Sequence, residues 1–270
     1  MNNRLNRLKS IMVLDLSTHY SFPLAEILVA IMMMLSFYLI YSNGAFSLYF
    51  EIPPSIPYTE SQIIVIYEQW TSSHSFRTLA SAIWDYSFIL AFFTPMLAAL
   101  SFGRDIDAGT FRTYLSYPIS RRHLFFAKEA LILAIVSGTT SISFLIGLLS
   151  LAPNLEVSFP LLLCLATLWT PTLFVSLATI LIAITSKSLS ASLFGGGALS
   201  FGSVISPLIF QSMDTLLVAI INPASAIMRY IFDEYSVYTL QSVLAGIIIS
   251  LGISALLLII TLKRFEAMEI

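Results

Sequence analysis

Hydrophobic positions along the chain fall into long unbroken runs rather than alternating with polar ones. Six stretches, at 23–42, 79–102, 125–150, 159–184, 189–210 and 240–262, are apolar enough to qualify as spans. A helix needs roughly 20 such residues to cross a bilayer. In hydrocarbon every backbone N–H and C=O must be bonded internally, so runs of this kind predict helices. Barrel strands would alternate polar and apolar positions. The pattern predicts an all-α integral membrane protein built as one domain over residues 1–270, with six transmembrane helices. The first run exceeds the apolar stretch of about 7–15 residues typical of a signal peptide, and no small-residue cleavage site follows it, so it reads as a retained helix.

Composition agrees with this pattern. Of the 270 residues, 57% are hydrophobic and 10% charged, against about 25% charged in an average soluble domain. Mean hydropathy is +0.89. A disordered chain, a collagen-like chain and a disulfide scaffold are excluded. Cys164 is the single cysteine and has no internal disulfide partner.

Charge is informative through its distribution. The net charge of −2 gives no reason to expect nucleic-acid binding. Eleven of the thirteen Lys and Arg residues fall on one side of the six-span layout: Arg4, Arg7 and Lys9, five in the 103–128 connection, Lys187, and Lys263 with Arg264. Arg77 and Arg229 fall on the other side, together with seven acids. By the positive-inside rule this split places both termini in the cytoplasm.

The polar segments carry further patterns. Leu5, Leu8, Met12 and Leu16 recur at helical spacing beside Arg4, Arg7 and Lys9. That describes either an amphipathic helix lying along the inner leaflet or a basic tail that only sets topology. The long 43–78 loop contains Pro53, Pro54 and Pro57, and its structure is not readable. Residues 211–239 are too apolar for a free loop and predict one or two short helices at the outer interface, broken at Asn222-Pro223. The fifth span holds Ser192, Gly195, Gly196, Gly197 and Gly202. Small residues let helix backbones approach closely, either inside one subunit or at a subunit interface or moving gate.

Recognisable reaction chemistry is missing. No metalloprotease helix, nucleophile elbow, paired cysteines or phosphate loop occurs. No catalytic or metal site is therefore assigned. Of the acids within spans, Glu26 and Glu129 lie near span ends and suit pairing or snorkelling. Asp85 lies deeper and is a pathway candidate.

The most distinctive stretch is GRDIDAGTFRTYLSYPISRRHLFFAK, residues 103–128. Gly109 permits a turn and Thr110 can cap a helix start. Phe111, Tyr114 and Leu115 offer an apolar face to a short helix over 110–116 that Pro118 stops. Such a helix either seats on a protein surface or lies on the headgroups.

The stretch Asp105-x-Asp107-x-Gly109-Thr110, followed by Leu115-Ser116-x-Pro118-Ile119-Ser120-Arg121, resembles the segment after the second span in ABC-2 type transporter permeases. Asn222-Pro223, the basic end Lys263-Arg264-Phe265-Glu266, the six-span layout and the amphipathic start are similar to that family too. The chain departs from it in having aspartate where members often have glutamate, and in the long 43–78 loop. The resemblance implies a cell-membrane permease subunit that couples ATP hydrolysis by a separate ATPase to export. That partner would bind ATP and Mg, with no cofactor in this chain. A second copy or a homologous permease would complete the dimer. The 110–117 segment would be the cytoplasmic coupling helix between the second and third spans, so its ATPase-contacting residues would be Asp105, Asp107, Gly109, Thr110, Phe111, Tyr114, Leu115, Tyr117, Pro118 and Arg121. The second and fifth spans would line the dimer interface and pathway, with Asp85 and the small residues of the fifth as candidates. A non-transporting assembly, immunity or maturation subunit with the same ATPase partner fits the sequence equally. An intramembrane enzyme is disfavoured by the missing signatures, and a secondary carrier by the lack of an inverted repeat and of buried charges in series.

Overall fold

The computed structural model describes residues 27, 29–39, 42, 82–111, 120–151, 159–209, 214–232 and 239–268. Every regular element among them is a helix. In chain order these are α1 (Val29–Leu39), α2 (Ala82–Asp107, π-helical over Ala99–Gly103) and α3. The last begins as Arg121–Leu133, passes through a π-helical turn at Ala134–Gly138 and continues as Thr139–Leu151. Then follow α4 (Phe159–Ser186), α5 (Leu189–Ile209), α6 (Thr215–Ile221), α7 (Pro223–Phe232) and α8 (Leu240–Ala267).

Four of these helices, α2, α3, α4 and α8, are long and apolar enough to cross a membrane. The first and fifth expected spans are represented by shorter apolar helical stretches, Val29–Leu39 and Leu189–Ile205. The expected amphipathic segment at 4–16 and the loop at 43–78 lie outside the described residues. So do positions 112–119, which hold most of the expected coupling helix.

Helix α4 is the hub. It packs most extensively on α8 and α5, and it also touches α2, α3 and α7. Several of its hydroxyl residues are compatible with an apolar setting because they return their protons to their own helix. Thr170, Thr172 and Thr179 donate to the carbonyls of Ala166, Leu168 and Val175, each at 2.8 Å. These three hydroxyls then leave no polar hydrogen facing hydrocarbon.

Polar bonds also link helices. Tyr86 Oη donates to the carbonyl of Ser36 at 2.6 Å, tying α2 to α1. Trp169 Nε1 donates to Ser141 Oγ at 3.0 Å and Ser176 Oγ to Glu129 Oε1 at 2.5 Å, tying α4 to α3. Such bonds contribute roughly 0.6–2 kcal/mol each where lipid supplies no hydrophobic drive between helices.

The apolar stretch before the last span forms the two short helices α6 and α7, separated at Asn222. Asp214 caps α6, its side chain accepting from Leu216 N at 2.8 Å. Asn222 Oδ1 accepts from Ser225 N at 3.1 Å, and Pro223 occupies the first helical position of α7, where its missing N–H is harmless. Helix α6 lies hard against α8. A Cβ on Gly246 would sit 2.6 Å from the backbone carbonyl carbon of Ala219, so only glycine allows this approach.

Candidate functional site

The distinctive 103–128 stretch begins inside α2, and its chemistry starts with how that helix ends. Gly109 adopts φ +68°, the left-handed conformation that favours glycine. This turn lets Thr110 N donate to the carbonyl of Asp105 at 3.0 Å and Gly109 N to that of Ile106 at 3.2 Å. The two bonds are the Schellman pattern, which satisfies the last carbonyls of a helix. Thr110 uses its hydroxyl backwards, donating to Asp105 Oδ1 at 2.7 Å. The Asp-x-x-x-Gly-Thr spacing thus closes α2 with backbone and side-chain bonds together.

Asp105 is also half of a buried ion pair. Its Oδ2 lies 2.8 Å from Lys128 Nζ, with the two side chains 1% and 0% exposed. Lys128 donates in addition to the carbonyl of Ser101, at 3.1 Å, within the π-helical turn of α2. The ammonium stands 5.8 Å from the ring centroid of Phe102 and 5.7 Å from that of Phe111. Phe102, Phe111, Phe125 and Phe265 are fully buried and pack edge-on or tilted, with centroids 5.3–6.2 Å apart. In this water-poor cage the ion pair is electrostatically strong, but desolvation of both groups offsets most of the gain. Its main consequence is that α2 and α3 are locked in one register, because displacing either charge leaves the other buried alone.

The end of α8 is held at the same place. Phe265 enters the cage. Arg121 Nη1 donates to the carbonyls of Glu266 at 2.8 Å and Met268 at 2.6 Å, where a cation meets the negative end of a helix. Arg122 pairs with Glu266. The Arg122 side chain is 68% exposed, so that pair contributes little to stability. Ser120 starts α3 as its N-cap, accepting from His123 N at 3.4 Å.

These contacts locate the candidate residues. Asp105 and Phe111 face the interior of this chain and form the base of the segment. Asp107 and Gly109 are exposed, and Thr110 and Arg121 are partly buried. Tyr114, Leu115, Tyr117 and Pro118 lie outside the described residues. Asp85 is partly buried in α2, twenty positions before Asp105.

The small residues of α5 divide into two sets. Ser192 is buried, and a Cβ on Gly103 of α2 would come within 3.5 Å of its Cβ. A Cβ on Gly196 would meet Thr179 Cγ2 at 2.8 Å, and one on Gly195 would meet Ile182 Cδ1 at 3.1 Å. These three residues pack α5 onto α2 and α4 of the same chain. Gly197 and Gly202 have open space where a Cβ would be, among the described residues.

Two features escaped the sequence reading. Lys128 counts there as a loop cation, yet it lies in α3, fully buried and paired. The phenylalanine cage draws on α2, α3 and α8, so no single window of sequence reveals it. The available signal was an Asp near the end of one apolar span and a Lys near the start of the next, where a buried charge requires a partner.

Asp105 and Lys128 are paired, Arg121 and Arg122 bond to the end of α8, and among the described residues no group of three His, Cys, Asp or Glu side chains is gathered for a metal. These contacts form a joint between α2, α3 and α8. Comparison with protein-family models and with curated proteins gives no match for this sequence.

Proposed function

We propose that the chain is the permease subunit of an ATP-driven transporter of the ABC-2 type. In this reading all six apolar segments cross the cell membrane and both termini are cytoplasmic. Two permease subunits pair, and each receives a separate ATPase on the segment between α2 and α3. ATP and Mg belong to that partner.

The observation that carries the reading is the 105–121 motif, with its acidic helix end, Gly-Thr turn and Ser-Arg restart. The joint is consistent with a mechanical role. A force applied at 112–119 meets the Gly109–Thr110 turn on one side and Ser120–Arg121 on the other. From there it reaches α2 and α3 through the Asp105–Lys128 pair, and α8 through Arg121 and Phe265. Rigid-body tilting of packed helices then moves the bundle between two arrangements.

The test is purification of the tagged full chain from its native membrane in mild detergent, followed by mass spectrometry of associated proteins. A stoichiometric soluble protein with a phosphate loop is expected, and Tyr114→Asp should release it while membrane insertion persists. Recovery of the chain alone, repeated after crosslinking, would refute the assignment.

A further inference from the structure

Where α2, α4 and α5 meet the Asn222 break between α6 and α7, they line a small cavity of about 20 Å³. Its wall includes Thr94 of α2, Pro171 and Thr172 of α4, and Asn222. Two of these carry polar atoms left unanswered among the described residues. Thr94 is 1% and Asn222 3% exposed, and neither Thr94 Oγ1 nor Asn222 Nδ2 has a hydrogen-bond partner among the described residues. A buried amide or hydroxyl without a partner costs about 1–3 kcal/mol. Two at one cavity argue for a ligand that answers both.

The orientation of the Asn222 amide is not arbitrary. Its oxygen accepts from Ser225 N at the start of α7, a role only the oxygen can fill, so the NH₂ group is the part left over. The ligand must therefore accept a hydrogen bond. It must also find acceptors. Thr172 Oγ1 spends its proton on the Leu168 carbonyl at 2.8 Å, and Ser87 Oγ, also at the wall, spends its own on Trp84 at 2.5 Å. Both oxygens keep lone pairs for an incoming donor. No Asp, Glu, Lys, Arg or His lines the cavity among the described residues, so an ion here would be buried without a countercharge. A neutral molecule that both donates and accepts is required. The volume exceeds the roughly 10–15 Å³ that one water needs, and the polar partners reach the 2–4 that a buried water uses.

We propose that this cavity is a binding site for a single buried water that bridges Thr94 of α2 to Asn222. The bridge gives the α6–α7 junction a polar attachment to the bundle, beside the apolar packing of α6 on α8. Pro171 belongs to the same design. It has no N–H for the Thr167 carbonyl, which loosens the α4 ladder beside the water. This inference is independent of the transport reading.

The experiment is X-ray hydroxyl-radical labelling of the purified full chain in lipid nanodiscs, with mass spectrometry and a delayed mix into H₂¹⁸O. Buried side chains that touch a bound water are oxidised by radicals formed there. Leu90 and Val204, which line the cavity and are 4% and 5% exposed, should label several-fold faster than Ile132 and Ile180, which are fully buried elsewhere. The excess should fall away in the Thr94→Val, Asn222→Leu double variant, and ¹⁸O should enter slowly. Wild-type labelling at Leu90 and Val204 no faster than at Ile132 and Ile180 would overturn the proposal, whatever the variant does. Immediate ¹⁸O incorporation would also overturn it, by showing a cavity open to bulk solvent, and so would an excess that survives in a folded double variant.

Discussion

Replacing Lys128 by Met is the sharpest perturbation the structure offers. The two side chains have similar length, so packing is nearly conserved and the change is electrostatic. At 2.8 Å and an effective dielectric constant near 20, the attraction between Lys128 and Asp105 is roughly 6 kcal/mol before desolvation. Desolvation of the two ions cancels most of it while both are present. With Lys128 gone, Asp105 stays in a phenylalanine cage, 1% exposed, with no ammonium to balance it. Breaking a buried pair in this way costs about 3–5 kcal/mol. At about 2–4 °C per kcal/mol for a chain of roughly this size, the melting temperature should fall by on the order of 6–20 °C. The readout is the thermal unfolding of the detergent-solubilised chain, followed by size exclusion after heating. The double variant Asp105→Leu, Lys128→Met removes both charges and leaves Thr110 the Asp105 backbone carbonyl as acceptor, at 3.3 Å in the native chain. It should regain most of the loss. A single variant that melts within about 2 °C of the native chain, or a double no better than the single, would refute the reasoning.

Four other variants probe the same architecture. Gly109→Ala has open space around the new methyl and pays only for its positive φ, about 1–2 kcal/mol, so a small drop in melting temperature is expected; no change would mean the turn relaxes freely. Gly246→Leu meets the Ala219 backbone rather than a movable side chain; it should cost at least about 1–3 kcal/mol and should raise protease cleavage between α6 and α7, and native-like protection would contradict the close approach. Phe265→Ala should cost about 3–5 kcal/mol by emptying the cage, whereas Glu266→Ala at the exposed pair should cost no more than about 1 kcal/mol; equal effects in thermal unfolding would show that α8 is not anchored through its aromatic ring.

The all-helical architecture was legible without coordinates. In four of the apolar runs the helices match the reading to within a few residues at most ends, because hydrocarbon leaves the backbone no other way to satisfy itself. The break at Asn222-Pro223 was equally local, since a residue before proline avoids the helical region and an asparagine caps the next helix. The turn at Gly109 was readable for the same reason: one residue without a Cβ decides it.

Position in the third dimension was not legible. By composition Lys128 looks like one more cation of a basic loop. It is a core residue because the cap at Gly109 and the restart at Ser120 return the chain so that α3 runs back beside α2, bringing Lys128 to Asp105 across a long stretch of sequence. Ser192, Gly195 and Gly196 could have faced a second subunit or their own; the structure shows their contact with α2 and α4 of their own chain. Phe265 looked like part of a basic tail until three other rings surrounded it. Local steric and hydrogen-bonding rules act within a few residues, and these the sequence determined alone. Which charge meets which, and which side of a helix is covered, depends on packing between segments distant along the chain, and only the tertiary structure decided them.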